Sequence, residues 1–413
     1  MQTRINSERL WNRLMQMAQI GGTAKGGCDR QALTDLDVEG RSLFATWCRE
    51  LDLNISHDAI GNMFARLPGK NPALPPLVIG SHLDTQPTGG KYDGVLGVLA
   101  GLEVLQTIGE KAITPDRSLE VAVWMNEEGA RFAPAMMGSG VFAGMLDLAE
   151  IRSVTDSAGI SVGEALDRHG YSSGSDPTAK DMHAYLELHI EQGPVLEAQE
   201  KSVGVVTGAQ GIRWYDVTLA GQEAHAGPTP MSLRRDPMEL VPDLVREILE
   251  IGKIDPDARA TIGQFQAHPG SRNVIPGSIS LTVDLRHPNE ETLSNMHDRL
   301  TGHVQGLSEI CAGTSAELRQ IWHSPVVEFD DDLIRSIRMG AELLGYSHLD
   351  MISGAGHDSL MVARCVPTAM IFIPCLDGIS HNEAEHIEPE QAEAGANVLL
   401  CATLETLGIA IQA

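Results

Sequence analysis

The sequence predicts an α/β protein: a mostly parallel sheet flanked by helices, interrupted by a smaller α+β insert. Three observations carry this. Short apolar runs at residues 77–80, 119–125 and 185–190 each stop at a polar cluster, with helix-like stretches between them, the pattern of a parallel sheet. From about residue 211 the strand-like segments alternate polar and apolar side chains instead. At 366–374 the character of a buried strand returns.

Taken in order, residues 9–18 carry Leu10, Leu14 and Met17 at helical spacing. The run 77–80 (LVIG) ends at Ser81-His82-Leu83-Asp84-Thr85. A glycine-rich stretch follows, and residues 95–105 are apolar enough for a buried helix. The run 119–125 (LEVAVWM) ends at Asn126-Glu127-Glu128-Gly129, and 185–190 (YLELHI) at Glu191-Gln192-Gly193. Sites in parallel sheets form just beyond the carboxyl ends of the strands, where these clusters fall. Within the insert, 214–219, 279–285 and 316–321 read as alternating strands, with helix-like stretches at 236–252 and 290–307. The order strand–helix–strand–strand–helix–strand describes a small α+β domain. The run 366–374 (VPTAMIFIP) leads to a polar stretch containing His381. The expected division is a main domain of residues 1–210 and 326–413, with an insert of 211–325.

Composition narrows the function. The 413 residues exceed one ordinary hydrophobic core and suit two domains. A net charge of −26, from 30 basic and 56 acidic side chains, repels polyanions, so neither nucleic acid nor an anionic membrane is an expected partner. A small anionic substrate remains compatible, if a few arginines make a local positive pocket. The start of the chain reads as an amphipathic helix and not as a secretory leader. No apolar run approaches the ~20 residues that cross a bilayer. The six cysteines are scattered, with no C-x-x-C pair, which reads as reduced thiols in the cytoplasm.

Five potential metal ligands sit in the strand-end clusters: His82, Asp93, Glu128, His189 and His381. Alone, each would be read as a surface or hydrogen-bonded group; their joint placement is the signal. Imidazole and carboxylate together suit Zn, Mn, Co or Ni, and a carboxylate such as Asp93 can bridge two ions. Asp84, two residues from His82, is expected to orient its imidazole. Of the adjacent pair, Glu128 is assigned to a metal and Glu127 to a water as general base. No cysteine nucleophile is expected, since only Cys375 lies near a cluster.

Together these segments resemble the hydantoinase/carbamoylase branch of the M20 metallopeptidase-like amidohydrolases. The motifs are Gly80-Ser81-His82-Leu83-Asp84-Thr85 with Gly89-Gly90-Lys91-Tyr92-Asp93-Gly94, Asn126-Glu127-Glu128-Gly129-Ala130-Arg131-Phe132, Glu187-Leu188-His189-Ile190-Glu191-Gln192-Gly193 and Ser380-His381-Asn382-Glu383. The resemblance implies two divalent ions, with His82 and His189 on one, Glu128 and His381 on the other, and Asp93 bridging. Many M20 peptidases place an acidic ligand where His189 stands.

The insert resembles the family's lid and dimerisation domain. By that resemblance His225, in His225-Ala226-Gly227-Pro228-Thr229-Pro230, enters the site of a partner subunit and stabilises the developing oxyanion. Asn273 and Arg286 hold a substrate carboxylate; a salt bridge from Arg286 to Asp284 is set aside, on the reasoning that alternating residues diverge. Gln192 is a candidate for the ureido group, and His357 for the carboxylate or ureido oxygen. The implied activity is hydrolysis of N-carbamoyl-L-amino acids to the amino acid, carbon dioxide and ammonia by a metal-bridging hydroxide, in a cytoplasmic homodimer. The alternatives within the branch are allantoate or ureidoglycolate amidohydrolase and β-ureidopropionase.

Overall fold

In the computed structural model the described residues are 4–176 and 181–410. The chain forms two compact units, residues 1–207 with 328–413, and residues 208–327.

The sheet of the first unit runs in the order Asn54–His57, Met63–Leu67, Leu119–Trp124, Leu77–His82, Ala184–Ile190, Thr368–Ile373, Val203–Ala209. The middle four strands, from Leu119–Trp124 to Thr368–Ile373, are mutually parallel, and their outer neighbours are antiparallel. Every residue of those four strands is buried, which is why they read as unbroken apolar runs. Val78, Ala122, Trp124 and Tyr185 pack with Phe142 and Val362 on one face. Ile79 and Val121, one residue out of phase, meet the helix Val95–Glu110 at Gly101 on the other. Both faces are therefore covered, as expected for this fold class. A fully buried apolar side chain contributes roughly 1.5–3 kcal/mol, more than the ~1 kcal/mol of a helix cap, so the layers decide this unit's fold.

The second unit is an antiparallel sheet in the order Ser315–Ser324, Gly211–Ala220, Ser278–His287, Arg259–His268. Tyr215, Val217, Leu219, Ile279, Leu281, Val283 and Leu285 form its inner face. They pack on Leu244 and Ile248 of the helix Val241–Ile251 and on Leu293, Met296 and Leu300 of Glu290–Gly306. The expected helix over 236–252 is broken: Pro237–Glu239 is a 3-10 turn, and Pro242 starts a new helix at its first turn, where a missing N–H costs nothing. The strand Arg259–His268 carries polar, largely exposed residues at the sheet edge, and its sequence alone did not single it out.

Candidate metal centre

The four parallel strands finish along one edge of the first unit's sheet. Pairing of His82 with Trp124 and of His189 with Phe372 keeps their ends level. His82 and His189 stand on the strands themselves, Glu127 and Glu128 follow Leu119–Trp124, and His381 follows Thr368–Ile373. Asp93 lies just before the helix Val95–Glu110. The turns that aim these groups use left-handed backbone at three non-glycine residues, Asn126, Gln192 and His381, a conformation concentrated at functional sites.

His82, Asp93, Glu128, His189 and His381 make two groups of ligand atoms, and His189 also lies in a third with Glu187 and His357. Those of His82, Asp93 and His189 lie within 4.8 Å of one another, as do those of Asp93, Glu128 and His381. Asp93 Oδ1 is 3.4 Å from His82 Nε2 and 3.1 Å from His189 Nε2. Its other oxygen, Oδ2, is 3.5 Å from His381 Nε2, which in turn lies 3.2 Å from Glu128 Oε2. The two oxygens of one carboxylate thus face two different groups.

The tautomers are set by backbone. His82 Nδ1 lies 2.9 Å from the Asp84 carbonyl and His189 Nδ1 2.9 Å from the Ile190 carbonyl. A carbonyl only accepts, so both rings carry the proton on Nδ1 and turn the Nε2 lone pair inward. His82 Nε2 is buried with no hydrogen-bond partner among the described residues, an arrangement that costs free energy unless a ligand takes the lone pair. Asp84 therefore holds His82 chiefly through its carbonyl. Its carboxylate is 3.9 Å from the ring and instead accepts the backbone N–H groups of Glu127 and Glu128, at 3.3 and 3.2 Å. That bond pair turns both glutamates toward the site.

Glu127 Oε2 lies 3.5 Å from His82 Nε2. Burial pushes its carboxyl well above the ordinary range, against the pull of His82 and aided by Asp358. The hydrogen bond with Glu128 raises the His381 imidazole to about 9. Gln192 donates through Nε2 to Asp93 Oδ2 at 2.7 Å, which leaves its Oε1 buried and unpartnered among the described residues. His357 is buried with its ring 4.6 Å from that of His189 and Nε2 3.1 Å from the Ser353 hydroxyl. Burial, and then His189, holds its imidazole well below the usual histidine value.

In the second unit, His225 and Asn273 are neighbours. The ladder that pairs Ala224–His225 with Val274–Ile275 also lets Ala226 N–H donate to the Asn273 carbonyl at 2.9 Å. His225 is exposed, and its Nδ1 accepts the Gly227 N–H at 3.1 Å. Neutral His225 thus carries its proton on Nε2, ready to donate. Arg286 corrects the sequence reasoning: it does pair with Asp284, with Nη2 2.8 Å from Oδ2. Residues i and i+2 of a strand share a face, so the two side chains run together. The contact is bidentate, with Nε 3.0 and 3.1 Å from the two Asp284 oxygens, so a substrate carboxylate would compete with Asp284 for these donors.

Sequence reasoning missed the residues behind the ligands. Glu187 is fully buried, accepting from the Ser81 hydroxyl at 2.8 Å and the Ser359 N–H at 3.1 Å. Glu385 is buried beside Asp93 in a stretch rich in exposed acids. Its only sequence signal is Ile387 two residues on, which alternates with it as a buried position.

The donor set is imidazole plus carboxylate in two groups joined by one shared carboxylate, with a buried unpartnered imidazole nitrogen aimed inward. It fits divalent Zn, Mn, Co or Ni. Residues 78–405 match the sequence model of peptidase family M20/M25/M40. The chain belongs to that family, in its hydantoinase/carbamoylase amidase branch, and is a hydrolase. An N-carbamoyl-L-amino-acid amidohydrolase of Rhizobium meliloti is 47% identical over 409 residues, 98% of each chain. A crystal structure of a hydantoinase/carbamoylase family amidase from Burkholderia multivorans is 48% identical, with a TM-score of 0.92 over 98% of each chain. An allantoate amidohydrolase of Bacillus subtilis is 34% identical over 93% of each chain.

Proposed function

We propose that this chain hydrolyses N-carbamoyl-L-amino acids to the L-amino acid, carbon dioxide and ammonia, using two divalent cations. The single observation that carries the reading is the pair of ligand groups sharing Asp93 with Glu127 beside them. His82 and His189 would hold one cation, Glu128 and His381 the other, and Asp93 both. When bound, such cations polarise a carbonyl and lower the pKa of water.

The remaining steps belong to the chain's own residues. Arg286 offers a planar donor pair suited to the substrate carboxylate, with Asn273 as a second donor. Gln192 Oε1 is a buried acceptor for a ureido N–H, and His357 stands beside His189 for a substrate oxygen. Glu127 takes a proton from water as the oxygen bonds to the ureido carbon, and returns it to the amino-acid nitrogen as the carbon–nitrogen bond breaks. Burial supports this role, since raising the pKa of a carboxyl makes its carboxylate a better proton acceptor. The released carbamate decomposes to carbon dioxide and ammonia. His225, with Nε2–H exposed, is suited to stabilise the oxyanion in the site of a second copy, which makes the working unit a homodimer. The cytoplasm suits six cysteines that are all unpaired, and among the described residues no helix is long and apolar enough to cross a membrane.

The test is turnover by the Mn-reconstituted protein, read as ammonia for N-carbamoyl-L-amino acids, one D form, N-carbamoyl-β-alanine, allantoate and ureidoglycolate, and as free amino acid for an N-acetyl amino acid. Fast turnover of the carbamoyl-L-amino acids supports the reading. Preference for allantoate, the substrate named for the 34% relative, overturns the substrate and keeps the chemistry.

A further inference from the structure

We infer that Glu385 is a positioning residue: it presets Asp93, and the loop that carries His381, for cation binding. The inference rests on the two-cation reading proposed above. Glu385 is 2% exposed, although Glu383 is only half-buried and Glu388 is exposed. Its Oε1 accepts the backbone N–H groups of Tyr92 and Asp93, at 2.9 and 3.1 Å. Its Oε2 lies 3.0 Å from the Ser380 hydroxyl, which lies 2.9 Å from Asp93 Oδ2. The approach depends on Gly90, where a Cβ would fall 1.9 Å from the Glu385 carboxyl carbon.

One carboxylate therefore grips the backbone on which Asp93 stands and approaches the Asp93 side chain through Ser380, whose single hydroxyl proton serves one of the two carboxylates at a time. It does so from a position four residues after His381, so the grip ties the Asp93 loop to the His381 loop. For the fold alone this is a poor arrangement. It buries a second carboxylate beside Asp93, and buried like charges repel strongly. Cations on Asp93 reverse the balance, and a bridging carboxylate must be held still to keep each oxygen on its own ion. Groups that orient metal ligands in this way typically change metal affinity 10–100-fold when removed.

The experiment is Mn²⁺ titration of the chelator-treated full chain, followed by calorimetry, for wild type, Glu385→Ala, Glu385→Asp and Glu385→Gln, with melting of each metal-free protein. Aspartate is one methylene too short to span both loops. Glutamine retains an oxygen for the two N–H groups, and its amide can donate to Ser380, whose own proton then goes to Asp93. The expected result is a 10–100-fold loss of affinity for the weaker-bound Mn²⁺ in the Ala and Asp variants, with Gln within about threefold of wild type. Should the Ala variant not fold, Asp against Gln makes the same comparison. Wild-type affinity in every folded variant overturns the inference, as does a lowered metal-free melting temperature with unchanged affinity. A Gln variant as weak as Ala also overturns it, because charge and not position would then be at work. Failure of the wild type to take up two Mn²⁺ would instead sink the two-cation reading itself.

Discussion

Replacing Gly94 with alanine should remove the metal site while leaving most of the fold. Gly94 has φ 66° and ψ −48°, and Val95 N–H donates to the Asp93 carbonyl at 2.7 Å across it. This is a γ-turn of the strained, positive-φ kind. An L side chain there costs of order 1–3 kcal/mol, which lowers the melting temperature by something on the order of 5 °C in a domain of this size. The steric effect is more telling. A Cβ at Gly94 would fall 2.4 Å from His82 Cε1 and Nε2, against 3.4 Å for ordinary contact. The imidazole must retreat by about 1.0 Å, and His82 is 1% exposed with nowhere to go. A metal–imidazole bond of roughly 2.0–2.1 Å tolerates about 0.2 Å, so Gly94→Ala should lose the cation held by His82 and His189. The assay is metal content by mass spectrometry with Mn²⁺ titration, alongside circular dichroism. Gly109→Ala is the control, since its Cβ meets nothing within 4 Å; it should bind normally and melt no lower. A folded Gly94→Ala protein holding two cations at wild-type affinity would refute the reasoning.

Glu127→Gln should fold and bind cations as wild type does, yet lose roughly 10²–10⁴-fold in kcat as the base is removed; steady-state kinetics at matched metal content checks this. Arg286→Lys should raise KM at least tenfold for carbamoyl amino acids with little change in kcat, because lysine cannot make the paired contact; an unchanged KM would move the carboxylate site elsewhere. Chelation should abolish activity and lower the melting temperature, and added Mn²⁺ should restore both; an active metal-free protein would contradict the proposed chemistry. Burial, with Arg41 behind it, holds His57 below the ordinary histidine value. The folded state then binds fewer protons at this site than the unfolded chain, so stability is lost as pH falls below about 6.5. Melting profiles from pH 5 to 8 should show His57→Gln gaining on wild type toward the acid end.

The legible parts of this protein share one physical property: their local pattern is also their tertiary role. The strands Leu77–His82, Leu119–Trp124, Ala184–Ile190 and Thr368–Ile373 are buried on both faces, so each announces itself as an apolar run. The polar clusters after them are legible because a parallel sheet puts its site at the strand ends. Asn54–His57 and Arg259–His268 contain no buried residue, so neither carries an apolar run that would mark it. Glu385 looks like any solvated glutamate in an acidic stretch until Gly90 and the Tyr92–Asp93 backbone close over it.

By itself, the sequence determined the α/β class and the family, and it singled out His82, Asp93, Glu127, Glu128, His189 and His381 as one candidate cluster, although Asp93 precedes the helix Val95–Glu110 and is not at a strand end. All of these depend on residue type and short-range spacing. Only the tertiary structure decided which Asp93 oxygen faces which group, which ring nitrogens carry protons, that Asp84 acts on His82 through its carbonyl, and that Arg286 lies along Asp284. Those facts depend on distances of a few tenths of an ångström between residues far apart in the chain, or on side-chain direction along a strand. Such distances exist only after the layers have packed.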